Sequence, residues 1–303
     1  MEDKVSKLQK LKEEHDAVIL AHYYATSEVQ EIADYIGDSF YLATLARNLD
    51  NKVIVLAGVY FMAESAKVLS PDKTVLIPDE TAGCPMADMA TVEGIQKVRS
   101  QYDDLAVVCY VNSNADLKAH SDVCVTSSNA VNIVSKLKEK NIYFVPDKNL
   151  AHYISTKLPE KNFIFNDGFC CVHEGIWAEE VKAIKEAHPG VKVLMHPECT
   201  AEALTFADYI GATSGILDYA TSHDDSEFII ATEVGILHQL KKHCPEKTFY
   251  TVNDHQICNS MKKNTLDSIL NALEHLTYDI KMDGELMEAS EKPLTRMVEL
   301  ANA

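Results

Sequence analysis

Three cysteines, Cys84, Cys170 and Cys258, each close a stretch of the same make: a short apolar run, an acidic or amide turn, then a thiol. The stretches are Val75-Leu-Ile-Pro-Asp-Glu-Thr-Ala-Gly-Cys84, Phe163-Ile-Phe-Asn-Asp-Gly-Phe-Cys170 and Phe249-Tyr-Thr-Val-Asn-Asp-His-Gln-Ile-Cys258. Steps of 86 and 88 residues separate the thiols, the mark of one unit repeated three times. Three thiolates of equal standing suit zinc with an open position. They also suit a [4Fe-4S] cube, one of whose irons then has no protein thiolate. A threefold relation among the units favours the cube, whose open iron is a Lewis acid. Cys171 competes with Cys170, because the repeat register is loose by one residue there (Gly83-Cys84 against Gly168-Phe-Cys170).

A second, polar ring follows the same repeat. His22, Tyr110 and His196 are equivalent, as are Tyr24, Asn112 and Glu198, and as are Ser39, Ser127 and Thr213. From the first member to the hydroxyl is 17 residues in every unit, and to the cysteine 62, 60 and 62. Residues two apart on a strand share a face, so each first strand is expected to end in a matched pair. Imidazoles and hydroxyls can hold an anion, and the Glu198 carboxylate and Tyr24 phenol can move protons. His173, three residues past Cys170, is expected on a loop beside the metal. A site without a dense Arg/Lys clamp suits a small dicarboxylate or a phosphate monoester. Cys109, Cys124, Cys199 and Cys244 read as packing residues. There is no G-K-[ST] and no H-E-x-x-H, which argues against a P-loop enzyme or a zincin.

The elements that must position these groups recur too. Ala17-Val-Ile-Leu-Ala-His-Tyr-Tyr24, Ala106-Val-Val-Cys-Tyr-Val-Asn112 and Val193-Leu-Met-His-Pro-Glu198 read as first strands, and Val53-Ile-Val-Leu-Ala-Gly58 and Glu227-Phe-Ile-Ile-Ala-Thr-Glu233 as second ones. Ala-Asp-Tyr-Ile-Gly occurs at 33–37 and again at 207–211, where both copies read as the ends of helices. Ser27 with Gln30 reads as a capping box opening the first of these. Leu8 and Leu11 predict an N-terminal helix packed by one stripe, and Leu266, Ile269, Leu270 and Leu273 predict another after the last cysteine. The acidic stretch from Asp279 to Glu291 reads as an excursion, and Pro293 as the first turn of a closing helix.

Units of strand–helix–strand–helix–strand imply parallel sheets covered on both faces. The expected fold is therefore α/β, with three similar three-layer (αβα) Rossmann-like domains about a pseudo-threefold axis and the site at the centre. The expected domains are 1–86, 87–172 and 173–261, with 262–303 packing on the first. Strand ends of such sheets face the ligand crevice.

The 303 residues are 47% hydrophobic and 24% charged, with a net charge of −18. So acidic a chain is unsuited to nucleic acid or an anionic membrane. No apolar run approaches the ~18 residues of a membrane helix, and Met1-Glu-Asp-Lys-Val-Ser lacks a signal-peptide core. A cytoplasmic monomer or homodimer with reduced cysteines is expected.

Several stretches resemble the quinolinate synthase family: Ala21-His-Tyr-Tyr24, Gly83-Cys-Pro-Met-Ala-Asp-Met89, Tyr110-Val-Asn112, Thr126-Ser-Ser128, Gly168-Phe-Cys-Cys-Val-His173, His196-Pro-Glu198, Cys258-Asn-Ser-Met-Lys262 and Pro293-Leu-Thr-Arg-Met297. Together they span nearly the whole chain. The family pattern Gly-x-Cys-x-Val-His selects Cys170 over Cys171. The resemblance implies one [4Fe-4S] cluster per chain on Cys84, Cys170 and Cys258. It implies condensation of iminoaspartate with dihydroxyacetone phosphate to quinolinate, with release of phosphate and water on the way to NAD. The enzyme that supplies iminoaspartate is then a transient partner. His22, Ser39, Tyr110, Val111, Asn112, Ser127, His173, His196, Pro197, Glu198 and Thr213 would hold substrates, with Tyr24, Glu198, His22 and His196 as catalytic groups. The family often has a tryptophan where this chain has Asn166. The rival readings are an iron–sulfur hydro-lyase acting on a hydroxy acid, and a redox-sensing module that loses its cluster under oxidant.

Overall fold

In the computed structural model, which describes residues 2–302, the chain forms three four-stranded parallel sheets flanked by helices, an α/β fold of three similar units. Strands β1 (Ala17–His22), β2 (Tyr35–Gly37), β3 (Val53–Ala57) and β4 (Thr74–Leu76) build the first sheet. The second contains β5 (Leu105–Tyr110), β6 (Val123–Val125), β7 (Asn141–Val145) and β8 (Asn162–Phe165). The third contains β9 (Lys192–Met195), β10 (Tyr209–Ile210), β11 (Glu227–Ala231) and β12 (Thr248–Thr251). The strand orders are β2-β1-β3-β4, β6-β5-β7-β8 and β10-β9-β11-β12. The strand order of each sheet thus reverses between its first and second long strands, where α/β sheets open a crevice.

Each unit has four strands, one more than the sequence led us to expect. The extra ones are β2, β6 and β10, and they explain the repeated pentapeptide. Ala-Asp-Tyr-Ile-Gly does not end a helix: the helices stop earlier, at Ile32 and Leu204, and Tyr35–Gly37 and Tyr209–Ile210 are edge strands. The aspartate of the pentapeptide anchors the neighbouring first strand. Asp34 Oδ2 accepts the Ile19 N–H at 2.8 Å and Asp208 Oδ2 accepts the Val193 N–H at 2.9 Å. Lys12 and Lys185 pair with the same two carboxylates. The first helix is capped by Thr26, not Ser27, through the Val29 N–H. Cys124 lies buried within β6.

A second repeated device stands before each fourth strand. Lys73, Lys161 and Lys247 each donate to two main-chain carbonyls at the end of a helix: Ala46 and Leu49, Leu137 and Glu139, and Ala220 and His223. A cation on the orphan carbonyls of a helix C-terminus is favourable in both hydrogen bonding and charge. Lys247→Met is expected to destabilise the protein by about 1–2 kcal/mol, seen as an earlier denaturant midpoint with an unchanged slope.

By compactness the chain divides into one unit of 1–88, 111–124 and 259–303 and another of 89–110 and 125–258. In the first, the helices Glu2–His15 and Leu266–His275 cover the sheet. Leu8, Leu11, Ile269 and Leu273 join Ile19, Val55 and Leu76 in one buried cluster. Residues 278–280 are no loose excursion: the Ile77 N–H donates to the Tyr278 carbonyl and the Ile280 N–H to the Val75 carbonyl, which covers the exposed edge of β4. The last helix starts at Gly284, so Pro293 sits inside it and not in its first turn. In the second unit, Ile176, Val181, Val193, Met195 and Ile229 form a buried cluster under the third sheet.

Candidate active site

Burial sorts the eight cysteines. Cys84, Cys170 and Cys258 are half-buried, Cys171 is exposed, and Cys109, Cys124, Cys199 and Cys244 are buried. The three half-buried thiols are those of the repeat, each on the loop that leaves the fourth strand of its sheet. Cys199 donates to the Ala231 carbonyl, and burial followed by the charge of Glu198 pushes its thiol well up. Iodoacetamide is expected to modify Cys171 readily in the native protein and Cys199 only on unfolding, which peptide mass mapping would read.

In the second compact unit, strand ends bring together Tyr110, His173, His196 and Glu198, all nearly inaccessible. Glu198 lies at the centre. Its Oε1 accepts the Tyr110 hydroxyl at 2.5 Å, and its Oε2 lies 2.7 Å from His173 Nδ1. That nitrogen faces the carboxylate and donates to it, and His173 Nε2 stands 2.9 Å from Thr232 Oγ1. Cys170 Sγ is 3.3 Å from the same Nδ1. His173 and His196 stack with ring centroids 4.5 Å apart. The donor atoms of Cys170, His173 and Glu198 lie within 4.8 Å of one another, a group able to hold a metal ion. His173 occupies a helical turn, Cys171–Glu174, and not an open loop.

Electrostatics divide the roles. Burial alone would raise the Glu198 pKa, but the His196 and His173 imidazoles, with hydrogen bonds from His173 and Tyr110, hold it at about 2. Burial and the charge of Glu198 push the Tyr110 phenol well above its ordinary value. The carboxyl is therefore an anion and the phenol a donor at neutral pH. Ser127 also hydrogen-bonds Tyr110, while Thr213 is buried as the first residue of the helix Thr213–Ser222.

The first unit carries His22, Tyr24, Ser39, Cys84, Val111 and Asn112. His22 Nδ1 accepts the Tyr24 N–H at 3.1 Å, and His196 Nδ1 accepts the Glu198 N–H at 3.3 Å. The pairs two residues apart are therefore folded into a turn after the strand, and do not sit on a strand face. The same bond puts the proton of each neutral ring on Nε2. Lys262 donates to the Tyr24 carbonyl. Ser39 opens the helix Ser39–Asn48, capped by Asp38. The buried Asn112 Oδ1 has no hydrogen-bond partner. A cavity of about 330 Å³ is lined by Tyr60, Phe61, Glu64, Cys84, Asp88 and Asn114 among others.

Sequence reasoning passed over Asp147, Glu233, Thr232 and Gln256. The buried Gln256 is satisfied at both ends: Nε2 donates to the Ile230 and Thr232 carbonyls, and Oε1 accepts from Val252 and Asn253. The spacing of 86 residues between Asp147 and Glu233 was the available signal. Asn166, the departure from the family pattern, fastens the loop before Cys170 by donating to the Met89 and Pro146 carbonyls at 3.0 and 2.8 Å. Gly168 permits the close approach that follows, since a Cβ there would lie 2.5 Å from the Pro146 oxygen.

Fold and site define an α/β protein of three parallel-sheet units, with thiol, imidazole, phenol and carboxylate groups at the carboxyl ends of its strands. The chain belongs to the quinolinate synthase family: the family model described as quinolinate synthetase A protein matches residues 6–299. It is 53% identical over 301 residues to a quinolinate synthase of Fusobacterium nucleatum, covering 99% of both chains. It is 48% identical to the quinolinate synthases of Caldicellulosiruptor bescii, over 97% of both chains, and of Clostridioides difficile, over 99% of this chain and 98% of that one. Among the described residues no helix is long and apolar enough to cross a membrane.

Proposed function

We propose that the chain is a quinolinate synthase that condenses iminoaspartate with dihydroxyacetone phosphate to quinolinate, releasing phosphate and water, in de novo NAD biosynthesis. The observation that carries this reading is the family match over residues 6–299. The ionised Glu198 between Tyr110 and His173 supplies the proton-transfer group that the reaction needs. Cys84, Cys170 and Cys258 would hold one [4Fe-4S] cluster. Their half-burial on equivalent loops fits a ligand role, which the packed thiols do not. The open iron of such a cluster supplies a Lewis acid for a carbonyl or hydroxyl oxygen.

The chain's own residues do the rest. His22 and His196 present Nε2–H donors, and Ser39, Ser127 and Thr213 hydroxyls, to carboxylate and phosphate oxygens. The unpaired Asn112 Oδ1 is left to accept from a substrate hydroxyl or imine N–H. Val111 and Pro197 contribute by shaping the backbone between these groups. Tyr110 stays protonated and donates. Glu198 withdraws a proton in the imine–enamine and dehydration steps, and Tyr24 returns one. We also take the repeat boundaries 1–86, 87–172 and 173–261, with 262–303 against the first, as the domains, and place a monomer or homodimer in the cytoplasm. The enzyme that makes iminoaspartate is its supplier.

The test is anaerobically purified, iron-loaded protein given both substrates, with quinolinate read by liquid chromatography and mass spectrometry. Quinolinate formed only when both are present supports the reading. A loaded protein that makes none overturns it. Zinc in place of iron and sulfide would favour a single ion on Cys170, His173 and Glu198.

A further inference from the structure

Asp147 and Glu233 stand 86 residues apart, each just past the second long strand of its sheet, and neither is exposed to solvent. Both spend their two oxygens on main-chain N–H groups. Asp147 Oδ1 accepts from Leu150 at 2.6 Å and Oδ2 from Cys170 at 3.1 Å. Glu233 Oε2 accepts from Gly235 at 2.7 Å and Oε1 from Cys258 at 3.0 Å. A main-chain bond completes each clasp. The Lys148 N–H donates to the Gly168 carbonyl at 2.8 Å and the Val234 N–H to the Gln256 carbonyl at 2.9 Å, two residues before the thiol in both cases.

The first repeat has the main-chain bond but not the carboxylate. The Tyr60 N–H donates to the Ala82 carbonyl at 2.8 Å, yet the residue before Tyr60 is Val59, whose side chain offers no acceptor. Its thiol loop is tied from outside, where Lys263 donates to the carbonyl and hydroxyl of the exposed Thr81. Burying a carboxylate is costly unless its oxygens are satisfied. Here one of the two satisfying partners of each carboxylate is the N–H of a thiol-bearing residue itself. An amide would turn an NH2 group toward one of the two donors.

We infer that Asp147 and Glu233 are positioning residues that hold Cys170 and Cys258 ready to ligate the cluster. This rests on the reading that the three thiols carry a [4Fe-4S] group. Fixing the N–H of a ligating residue sets the direction of its Cα–Cβ bond, and so where its sulfur lies before iron arrives.

The experiment measures iron release from anaerobic, loaded protein to a ferrous chelator, with a thermal melt alongside. Asp147→Asn and Glu233→Gln are expected to release iron about 10- to 100-fold faster than wild type, the range typical of outer partners of metal ligands. Asp208→Asn serves as control: it removes a carboxylate bonded to a strand N–H away from the thiol loops. It is expected to melt earlier and release iron at the wild-type rate. Should Asp147→Asn fail to fold, Glu233→Gln decides alone, since Gln256 still fastens that loop. Release at the wild-type rate in the variants, or equally fast release in Asp208→Asn, overturns the inference and leaves the cluster reading standing. Wild-type protein that binds no iron and sulfide overturns both.

Discussion

Glu198→Gln is expected to lower turnover by about 10²- to 10⁴-fold, the usual contribution of a general acid–base group, with iron content unchanged. Both carboxylate oxygens receive strong donors, Tyr110 Oη at 2.5 Å and His173 Nδ1 at 2.7 Å. A glutamine keeps the shape but offers one acceptor and no basic site. Its NH2 group must also meet either the Tyr110 hydroxyl or the His173 N–H, so the two partners lose their fixed orientation. Tyr110→Phe separates these effects. It removes a donor and leaves the carboxylate ionised by the imidazoles, so it is expected to cost less than Glu198→Gln. Steady-state rates on protein of equal iron content make the comparison. Unchanged turnover in Glu198→Gln with the cluster intact would falsify the assignment of this residue as a proton-transfer group.

The second large effect concerns the thiols. Anaerobic wild-type protein is expected to hold about four irons and four sulfides. Cys84→Ala, Cys170→Ala and Cys258→Ala are each expected to lose essentially all of both. Cys171→Ala is expected to keep them, since its side chain is exposed while that of Cys170 lies against His173. Iron and acid-labile sulfide assays with the visible spectrum give the answer. A Cys171→Ala protein that fails to load, or a Cys170→Ala protein that loads normally, would exchange the two neighbours. Freshly made anaerobic protein with zinc or no metal would leave the threefold thiols as structural residues only.

Much of this molecule was legible in its sequence because the repeat supplied three readings of each position. The long strands showed as unbroken apolar runs, since a parallel strand covered on both faces has no polar side. His22 and His196, and Cys84 and Cys258, were singled out by counting along the repeat, whereas Cys170 was chosen over Cys171 only by the family pattern. The short edge strands β2 and β10 were misread as helix ends, because two or three residues carry no periodicity to distinguish one from the other. Pro293 was misplaced for a different reason. A proline is costly inside a helix, but the helix Gly284–Asn302 holds it in place by tertiary packing of Pro293, Leu294 and Met297.

By itself the sequence determined the repeat, the class of fold and the residue types that end each strand, since these depend on local pattern and on distance along the chain. It could not determine which acceptor each donor meets. That Glu198 lies between Tyr110 and His173, residues 88 and 25 positions away, depends on sheets folding so that separate strand ends converge. That Asp147 and Glu233 serve the N–H groups of cysteines 23 and 25 residues later depends on a hydrogen bond between neighbouring strand ends. Hydrogen bonds require distances of about 3 Å, and only the tertiary structure brings residues so far apart in sequence to that range.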